Sequence, residues 1–278
     1  MRTRSASAFI GILGWPLEHT LSPAIHNAAF RRLGLDWVYL TFPVPPTALG
    51  GAIEGLRALG ARGANVTMPH KETCVAYLDG LSGDARSLQA VNTIQEVAGK
   101  LIGHNTDVDG FAAFLEGDVG FDPRGRSALI LGAGGAARAV VKALADKGTA
   151  DIAIAARSQS RADALTELAG AARAVPWADA SGVLAGADLV VNATPLGMNG
   201  EDVLPEAHFR GSQVVVDLVY EPPMTPLIER ARASGAGAWS GLGMLVHQAV
   251  AAFRIWTGQE PPVETMSAAA LHSINRGG

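Results

Sequence analysis

Residues 127–147 constrain the fold more than any other stretch of this 278-residue chain. Ser127–Leu131 is a run of β-forming, mostly apolar residues. Gly132-Ala133-Gly134-Gly135 follows at once and opens an amphipathic segment reaching about Lys147. Strand, glycine turn and helix in that order predict the first unit of a parallel α/β sheet. Gly132, Gly134 and Ala137 fit the spacing G-x-G-x-x-G/A. The first glycine permits the tight turn, the second lets the backbone approach a pyrophosphate, and the free N–H groups at the helix start receive the anion. Read alone, the same residues describe a ligand-free turn. Strands at Asp151–Ala155, Leu189–Asn192 and Val214–Leu218, separated by helical stretches, extend the pattern into a βαβ series of about 110 residues.

The end of the second strand of that series selects between dinucleotides. A carboxylate there would bond a free ribose 2′-hydroxyl. This chain has Ala155-Ala156-Arg157-Ser158, with Arg161 four residues after Arg157. A guanidinium can pair bidentately with a phosphate and stack on adenine, so Arg157, Ser158 and Arg161 favour NADP(H) over NAD. The alternative for the two arginines is solvated surface charge.

Before residue 107 the same alternation continues. Phe9–Leu13, Trp37–Phe42 and Ala64–Thr67 read as strands, with Val91–Gln95 and Leu101–His104 as a short pair. Ser22-Pro23 reads as an N-cap and first helical residue, Gly34 ends that helix, Pro46–Leu59 is a second helix, and Pro69 begins a third. From Gly241 the chain is helical again at Met244–Trp256 and Glu264–Asn275. These helices have apolar faces that need a partner, and they are expected to pack back on the first domain.

Composition excludes several classes of function. Net charge is −4, without a basic face for nucleic acid. Cys74, the one cysteine, excludes an internal disulfide and is expected to be buried on a helix. The seven histidines show no metal-ligand spacing, so no metal is expected. Arg2 and Arg4 before the apolar stretch Ala8–Gly14 resemble a signal peptide faintly. The stretch is short, and Pro16, Glu18 and His19 follow without a cleavage site, so a buried first strand and a cytoplasmic protein are expected. No run of 18 apolar residues predicts a membrane span.

Polar residues at strand ends mark the candidate chemistry. Asn65-Val66-Thr67-Met68-Pro69-His70-Lys71 closes a predicted strand, where open α/β sheets bind ligands. Only four of the 22 Lys and Arg residues are lysines, and Lys71 lies apart from other cations. A lysine, unlike an arginine, can give up its proton, although a solvated lysine is the commoner fate. Asp107, in Asn105-Thr106-Asp107, reads either as a helix cap or as a carboxylate beside Lys71. Such a pair can move the hydroxyl proton of a secondary alcohol while hydride leaves the same carbon. Asn92 offers an amide for a further hydroxyl. Thr20 and Ser22 offer two hydroxyls at a helix start, suited to a carboxylate.

Eight segments, in order over nearly the whole chain, resemble the shikimate dehydrogenase family: 14–27 (Gly14-Trp15-Pro16, His19-Thr20-Leu21-Ser22-Pro23, His26-Asn27), NVTMPHK ending at Lys71, AVNT at 90–93, GHNTD at 103–107, GAGGAAR at 132–138, NATPLGM at 192–198, Asp217-Leu218-Val219-Tyr220 with Pro222 and Thr225, and Gly241-Leu242-Gly243-Met244-Leu245 with Gln248. The resemblance implies an α/β fold of two domains with a cleft between them. An α/β substrate-binding domain (1–107) would precede a Rossmann NADP-binding domain (108–237), with C-terminal helices (238–278) returning to the first. It implies Lys71 and Asp107 as the catalytic pair, and Thr20, Ser22 and Tyr220 at the substrate carboxylate. Thr67, Asn92 and Gln248 would bond ring hydroxyls. Gly132, Gly134, Gly135 and Ala136 would hold the pyrophosphate, with Thr194, Leu218, Gly241 and Met244 bordering the nicotinamide.

The implied activity is NADPH-dependent reduction of 3-dehydroshikimate to shikimate by a monomer or homodimer, in aromatic amino acid biosynthesis. This chain departs from the family pattern in three places. Thr20 replaces a usual serine, Ala156 a usual asparagine, and Val108-Asp109 a glycine-rich turn. Quinate or an aminoshikimate remains an alternative substrate, and a non-catalytic ligand sensor an alternative class.

Overall fold

The computed structural model describes residues 8–17 and 20–277; Arg2, Arg4, Glu18 and His19 of the sequence reading lie outside them. The chain divides into two compact units, Met1–Thr106 with Val246–Gly278, and Asp107–Leu245. The first unit begins with β1 (Ala8–Gly14), α1 (Ser22–Arg32), β2 (Trp37–Pro43), α2 (Leu49–Ala58), β3 (Gly63–Val66), β4 (Gly80–Leu81), α3 (Gly83–Leu88), β5 (Thr93–Val97) and β6 (Lys100–His104). Its sheet has the order β2-β1-β3-β5-β6-β4. β1 lies parallel to both β2 and β3, while β3–β5 and β5–β6 are antiparallel. Interior strands covered on both faces must be apolar throughout, and β1 is buried along almost its whole length. Helix α2 presents Leu49, Ile53 and Leu56 to the core, the spacing of a single helical face.

Two local expectations for this unit are corrected. Leu21, not Ser22, is the N-cap of α1, and no side chain caps it. The Ser22 N–H instead meets Thr20 Oγ1 at 3.4 Å, and the Ser22 hydroxyl bonds Tyr39. No α-helix begins at Pro69; a short 3₁₀ turn forms at Thr73–Tyr77, and Cys74 is buried there. The Lys71 carbonyl accepts the N–H of Val91 at 2.8 Å, so a tertiary bond replaces a helical one at that point.

The second unit contains α4 (Asp107–Gly117), β7 (Ser127–Leu131), α5 (Gly135–Asp146), β8 (Asp151–Ala156), α6 (Gln159–Thr166), β9 (Ala172–Pro176), α7 (Ala180–Leu184), β10 (Leu189–Asn192), β11 (Val214–Asp217), α8 (Pro226–Ala233) and β12 (Gly237–Ser240). Six strands in the order β12-β11-β10-β7-β8-β9 pair in parallel throughout. This is the doubly wound arrangement that the glycine loop predicts. β12 carries the sheet past residue 237, where the sequence reading closes that domain. One face of the sheet is filled by Leu129, Leu131, Val190, Val215, Leu184 and Ile228.

Helix α9 (Leu242–Thr257) then leads back into the first unit, followed by α10 (Val263–Gly277), which packs along α1. Phe253 lies against Phe30 with ring centroids 5.6 Å apart. Gln95 Nε2 donates to the Ile255 carbonyl at 2.7 Å, and Trp256 Nε1 donates to the Ile94 carbonyl at 2.9 Å. That last contact is possible because Gly63 has no side chain: a Cβ there would meet the Ile94 carbonyl and come within 2.5 Å of Trp256 Nε1, on a backbone at φ +157°. Gly63→Ala is expected to lower stability by about 1–3 kcal/mol through overpacking and backbone strain. An earlier midpoint in urea unfolding is the expected result; an unchanged midpoint would show that β3 and α9 can separate at no cost.

Candidate active site

In the second unit the winding of the sheet reverses between β7 and β10, and open α/β sheets bind ligands beyond the strand ends at such a point. Gly132 follows β7 at φ +110°, and its N–H donates to the Ala155 carbonyl at 2.7 Å. A Cβ on Gly132 would stand 2.9 Å from the Ala193 carbonyl, so the tails of β7, β8 and β10 meet around it. Gly134 is the N-cap of α5 and no side chain caps that end, which leaves the first-turn N–H groups, with Gly135 and Ala136 half-buried beside them, to an outside acceptor. Ala137 is fully buried where the fingerprint requires a small residue. At the end of β8, Arg157 is exposed, Ser158 is the N-cap of α6 with its hydroxyl 3.1 Å from that of Ser160, and Arg161 is exposed in the first turn.

The tails of β10 and β11 are joined by a buried polar cluster. Asn192 Nδ2 donates to Asp217 Oδ1 at 2.8 Å and to the Leu196 carbonyl at 2.9 Å. Its Oδ1 accepts the Thr194 hydroxyl at 2.7 Å and the Thr194 N–H at 3.0 Å. The fully buried Asp217 also accepts the Val219 N–H at 3.0 Å and the Thr225 hydroxyl at 2.7 Å. Burial raises the pKa of this carboxyl and its hydrogen bonds oppose the rise. Leu218 donates its N–H to the Asn192 carbonyl at 2.9 Å. Gly241 approaches the Leu218 backbone so closely that any Cβ would strike it, and Met244 is buried beyond. Tyr220 is half-buried, its pKa raised by burial and secondarily by the charge of Glu221. Asp107, buried, is the first residue of α4.

In the first unit Lys71 is half-buried after His70, whose Nε2 lies 2.6 Å from the Val44 carbonyl. The backbone bond from Lys71 to Val91 fixes it one residue from Asn92 in the neighbouring segment. Asn92 is buried. Its Oδ1 accepts the Thr106 N–H at 2.8 Å and the Thr93 hydroxyl at 3.0 Å; its Nδ2 donates to Thr106 Oγ1 at 2.9 Å and reaches Gln248 Oε1 at 3.5 Å. Asn65 Nδ2 donates to the Asn92 carbonyl and to Thr93 Oγ1, both at 3.0 Å, and the Tyr39 hydroxyl donates to Asn65 Oδ1 at 2.7 Å. Thr67 is half-buried, its N–H on the Leu13 carbonyl at 2.9 Å.

One connected set thus links Thr20, Ser22, Asn92 and Gln248 in the first unit, while another links Thr194, Leu218 and Gly241 in the second. Lys71 and Asp107 fall in different units, with Asp107 immediately following Thr106 of the Asn92 cluster. Sequence reasoning gave no role to Tyr39, Asn65, Thr93, Asn192 or Asp217. The signal available for Asn65 was an amide within an otherwise apolar strand, which demands buried partners. A separate cavity of about 270 Å³, lined by Phe111, Leu115, Phe121 and Lys147 among others, holds none of the sequence-predicted site residues.

Family models match three stretches: the shikimate dehydrogenase substrate binding domain over residues 12–94, shikimate/quinate 5-dehydrogenase over 119–217, and the shikimate 5′-dehydrogenase C-terminal domain over 241–271. The chain is 47% identical to the NADP⁺ shikimate dehydrogenase of Methanopyrus kandleri over 95% of each sequence. It resembles the Thermus thermophilus shikimate 5-dehydrogenase solved with NADP(H) and shikimate, with 38% identity, TM-score 0.86, and 96% and 99% of the two chains covered. It also resembles the Corynebacterium glutamicum quinate dehydrogenase solved with NAD, with 34% identity, TM-score 0.87, and 96% and 99% covered.

His26 gives the first-unit cluster an acid limit. Its ring is fully buried, stacked on Tyr39 at 4.6 Å, and neither ring nitrogen has a hydrogen-bond partner among the described residues. Burial lowers its pKa from 6.5 to about 3. Between those values the unfolded chain takes a proton that the folded chain refuses, so stability falls as pH drops below about 6.5, by about 1.4 kcal/mol per unit. Urea unfolding at a series of pH values is expected to show a shallower decline for His26→Leu than for the wild type between pH 6 and 4; parallel profiles would mean that the buried ring accepts the proton.

Proposed function

This chain belongs to the shikimate dehydrogenase family, and from that premise we propose that it catalyses the reversible, NADPH-dependent reduction of 3-dehydroshikimate to shikimate. The observation that carries most weight is the buried relay from Ser22 through Tyr39, Asn65 and Asn92 to Gln248. Uncharged donors and acceptors closely spaced at strand ends suit a small polyhydroxylated acid, and a purely structural core would not gather so many of them.

In this reading Ser22, Thr20 and Tyr220 hold the carboxylate, and Thr67, Asn92 and Gln248 bond the ring hydroxyls. The Lys71 ammonium gives a proton to the carbonyl oxygen as hydride reaches the carbonyl carbon, and the resulting amine regains a proton from solvent. In the reverse direction the amine takes the hydroxyl proton. Asp107 accepts a hydrogen bond from the substrate hydroxyl and so shares in the proton transfer. The cofactor fits the second unit beyond the Gly132 turn, where α5 begins without a side-chain cap and the space at Gly134 is open. Gly132, Gly134, Gly135 and Ala136 would hold its pyrophosphate, Arg157, Ser158 and Arg161 its 2′-phosphate, and Thr194, Leu218, Gly241 and Met244 would border the nicotinamide. When bound, the reduced nicotinamide supplies the hydride.

Quinate is the second reading, favoured by Thr20, whose methyl replaces a hydrogen at the carboxylate seat. Turnover measured with shikimate and quinate, each with NADP and NAD, is expected to give the highest kcat/KM for shikimate with NADP; quinate equalling shikimate would overturn the substrate assignment. Lys71→Ala is expected to lower kcat by about 10²–10⁴-fold, the usual worth of general acid–base catalysis. Unchanged turnover would remove Lys71 from the mechanism, and a wild-type chain that binds both ligands without turnover would be a sensor. Arg157→Ala is expected to raise KM for NADP about ten-fold, as for loss of a charge-assisted hydrogen bond, and to leave KM for NAD in place. Equal effects on the two would place Arg157 outside the 2′-phosphate site.

A further inference from the structure

We infer that Tyr39 is a positioning residue for the substrate: its phenol couples the carboxylate seat at Ser22 to the hydroxyl seat at Asn92. The inference rests on the roles proposed above for those two residues.

Tyr39 lies on β2 and Asn65 on β3, with β1 between them. The two side chains therefore bridge two strand spacings, about 10 Å. Three constraints fix the tyrosine. Its backbone is clamped by the Asn27 side chain of α1, with Tyr39 N–H to Asn27 Oδ1 at 2.8 Å and Asn27 Nδ2 to the Tyr39 carbonyl at 3.0 Å. Its ring stacks on His26, from the same helix, at an interplanar angle of 8°. Its hydroxyl reaches Asn65 at 2.7 Å.

The proton positions follow from which groups can only accept. Asn65 Nδ2 faces the Asn92 backbone carbonyl, an obligate acceptor, so Asn65 Oδ1 must face Tyr39 and the phenol must donate to it. The single phenolic proton is thereby committed, and burial, by raising the phenol's pKa, keeps it in place. Ser22 must then donate to the phenolic oxygen. A carboxylate is a stronger acceptor than a neutral phenol, so the Ser22 proton can turn to the substrate while Tyr39 stays bonded to Asn65. Beyond Asn65 the chain of bonds continues through Thr93 Oγ1 to Asn92 Oδ1. The two seats are thus held at a fixed separation by buried bonds, without a flexible charged side chain between them.

The test is steady-state kinetics of the full chain with shikimate and NADP. Tyr39→Phe keeps the ring and its stack and removes one oxygen. It is expected to raise KM for shikimate about ten-fold, as for a lost buried hydrogen bond, while kcat falls less than about three-fold and KM for NADP stays put. Combined with Ser22→Ala, its KM penalty is expected to be less than multiplicative, as for residues acting through one another. Thr93→Val cuts the same relay on the far side of Asn65, is expected to give the same KM-selective defect, and carries the test should Tyr39→Phe fail to fold. Unchanged KM in the folded variants, or kcat, KM for NADP and Tm falling together, would overturn the inference. A wild-type chain that does not turn over shikimate would instead overturn the proposed function, and the inference with it, before any variant is made.

Discussion

Each unit organises its strand ends around a buried asparagine whose amide must be bonded on both sides. Asn92 ties the tail of β3 and the start of β5 to Thr106, just before α4 begins. Asn192 ties the tail of β10 to the tail of β11 and to the turn at 194–196. Leaving one such group unbonded in the interior costs about 1–3 kcal/mol, comparable to a large fraction of a domain's net stability. The loops carrying Thr106 and Thr194 therefore have one low-energy position rather than many. An amide suits this task because it donates and accepts from one planar group, so it can join two chain segments that each offer the opposite polarity. The chemistry proposed here depends on loops that are as well fixed as strands, and these two residues supply that rigidity.

Much of the fold was legible because parallel strands covered on both faces must be continuously apolar. β1, β3, β7, β8, β10 and β11 stand out as such runs, punctuated by glycine and proline, while the edge strand β2 is marked by its aromatic residues. The two-residue β4 and the short α3 carry no comparable signal. Pro69 misled for an identifiable reason: proline at a helix start is a real preference, but a preference of local origin yields to a tertiary bond, here the one between Val91 and Lys71. In the site, the glycine loop was legible because the close approach to Ala193 admits no side chain. Tyr39 was not, since an aromatic residue in Trp37-Val38-Tyr39-Leu40 reads as an ordinary strand former, and nothing local shows where its hydroxyl goes.

The displacement of Ser22 from the capping position changes how the Thr20 substitution should be weighed. A capping serine would have its oxygen occupied by helix N–H groups. Here Thr20 Oγ1 accepts the Ser22 N–H, while Ser22 Oγ lies on Tyr39. A hydroxyl that accepts from a backbone N–H keeps its proton, so Thr20 offers the same donor that a serine would. What the methyl alters is shape. If Thr20 and Ser22 form the proposed carboxylate seat, any difference there between shikimate and quinate is steric, a change of the kind worth tens rather than thousands in relative rate.

The start of α6 follows a different logic from the rest of the chain. Helix N-termini favour negative charge, yet this one has no acidic residue in its first turn and carries Arg157 just before its N-cap and Arg161 within its first turn. Each cation there is disfavoured by about 0.3–1 kcal/mol, and the two repel one another. Exposure and solvent screening keep the penalty small. Departures from local rules concentrate at functional sites. A dianionic phosphate beside the Ser158 hydroxyl would turn both penalties into attractions, whereas a 2′-hydroxyl would leave them in place. In the proposed site, the end of β8 therefore favours NADP by attraction at Arg157 and Arg161 rather than by excluding NAD.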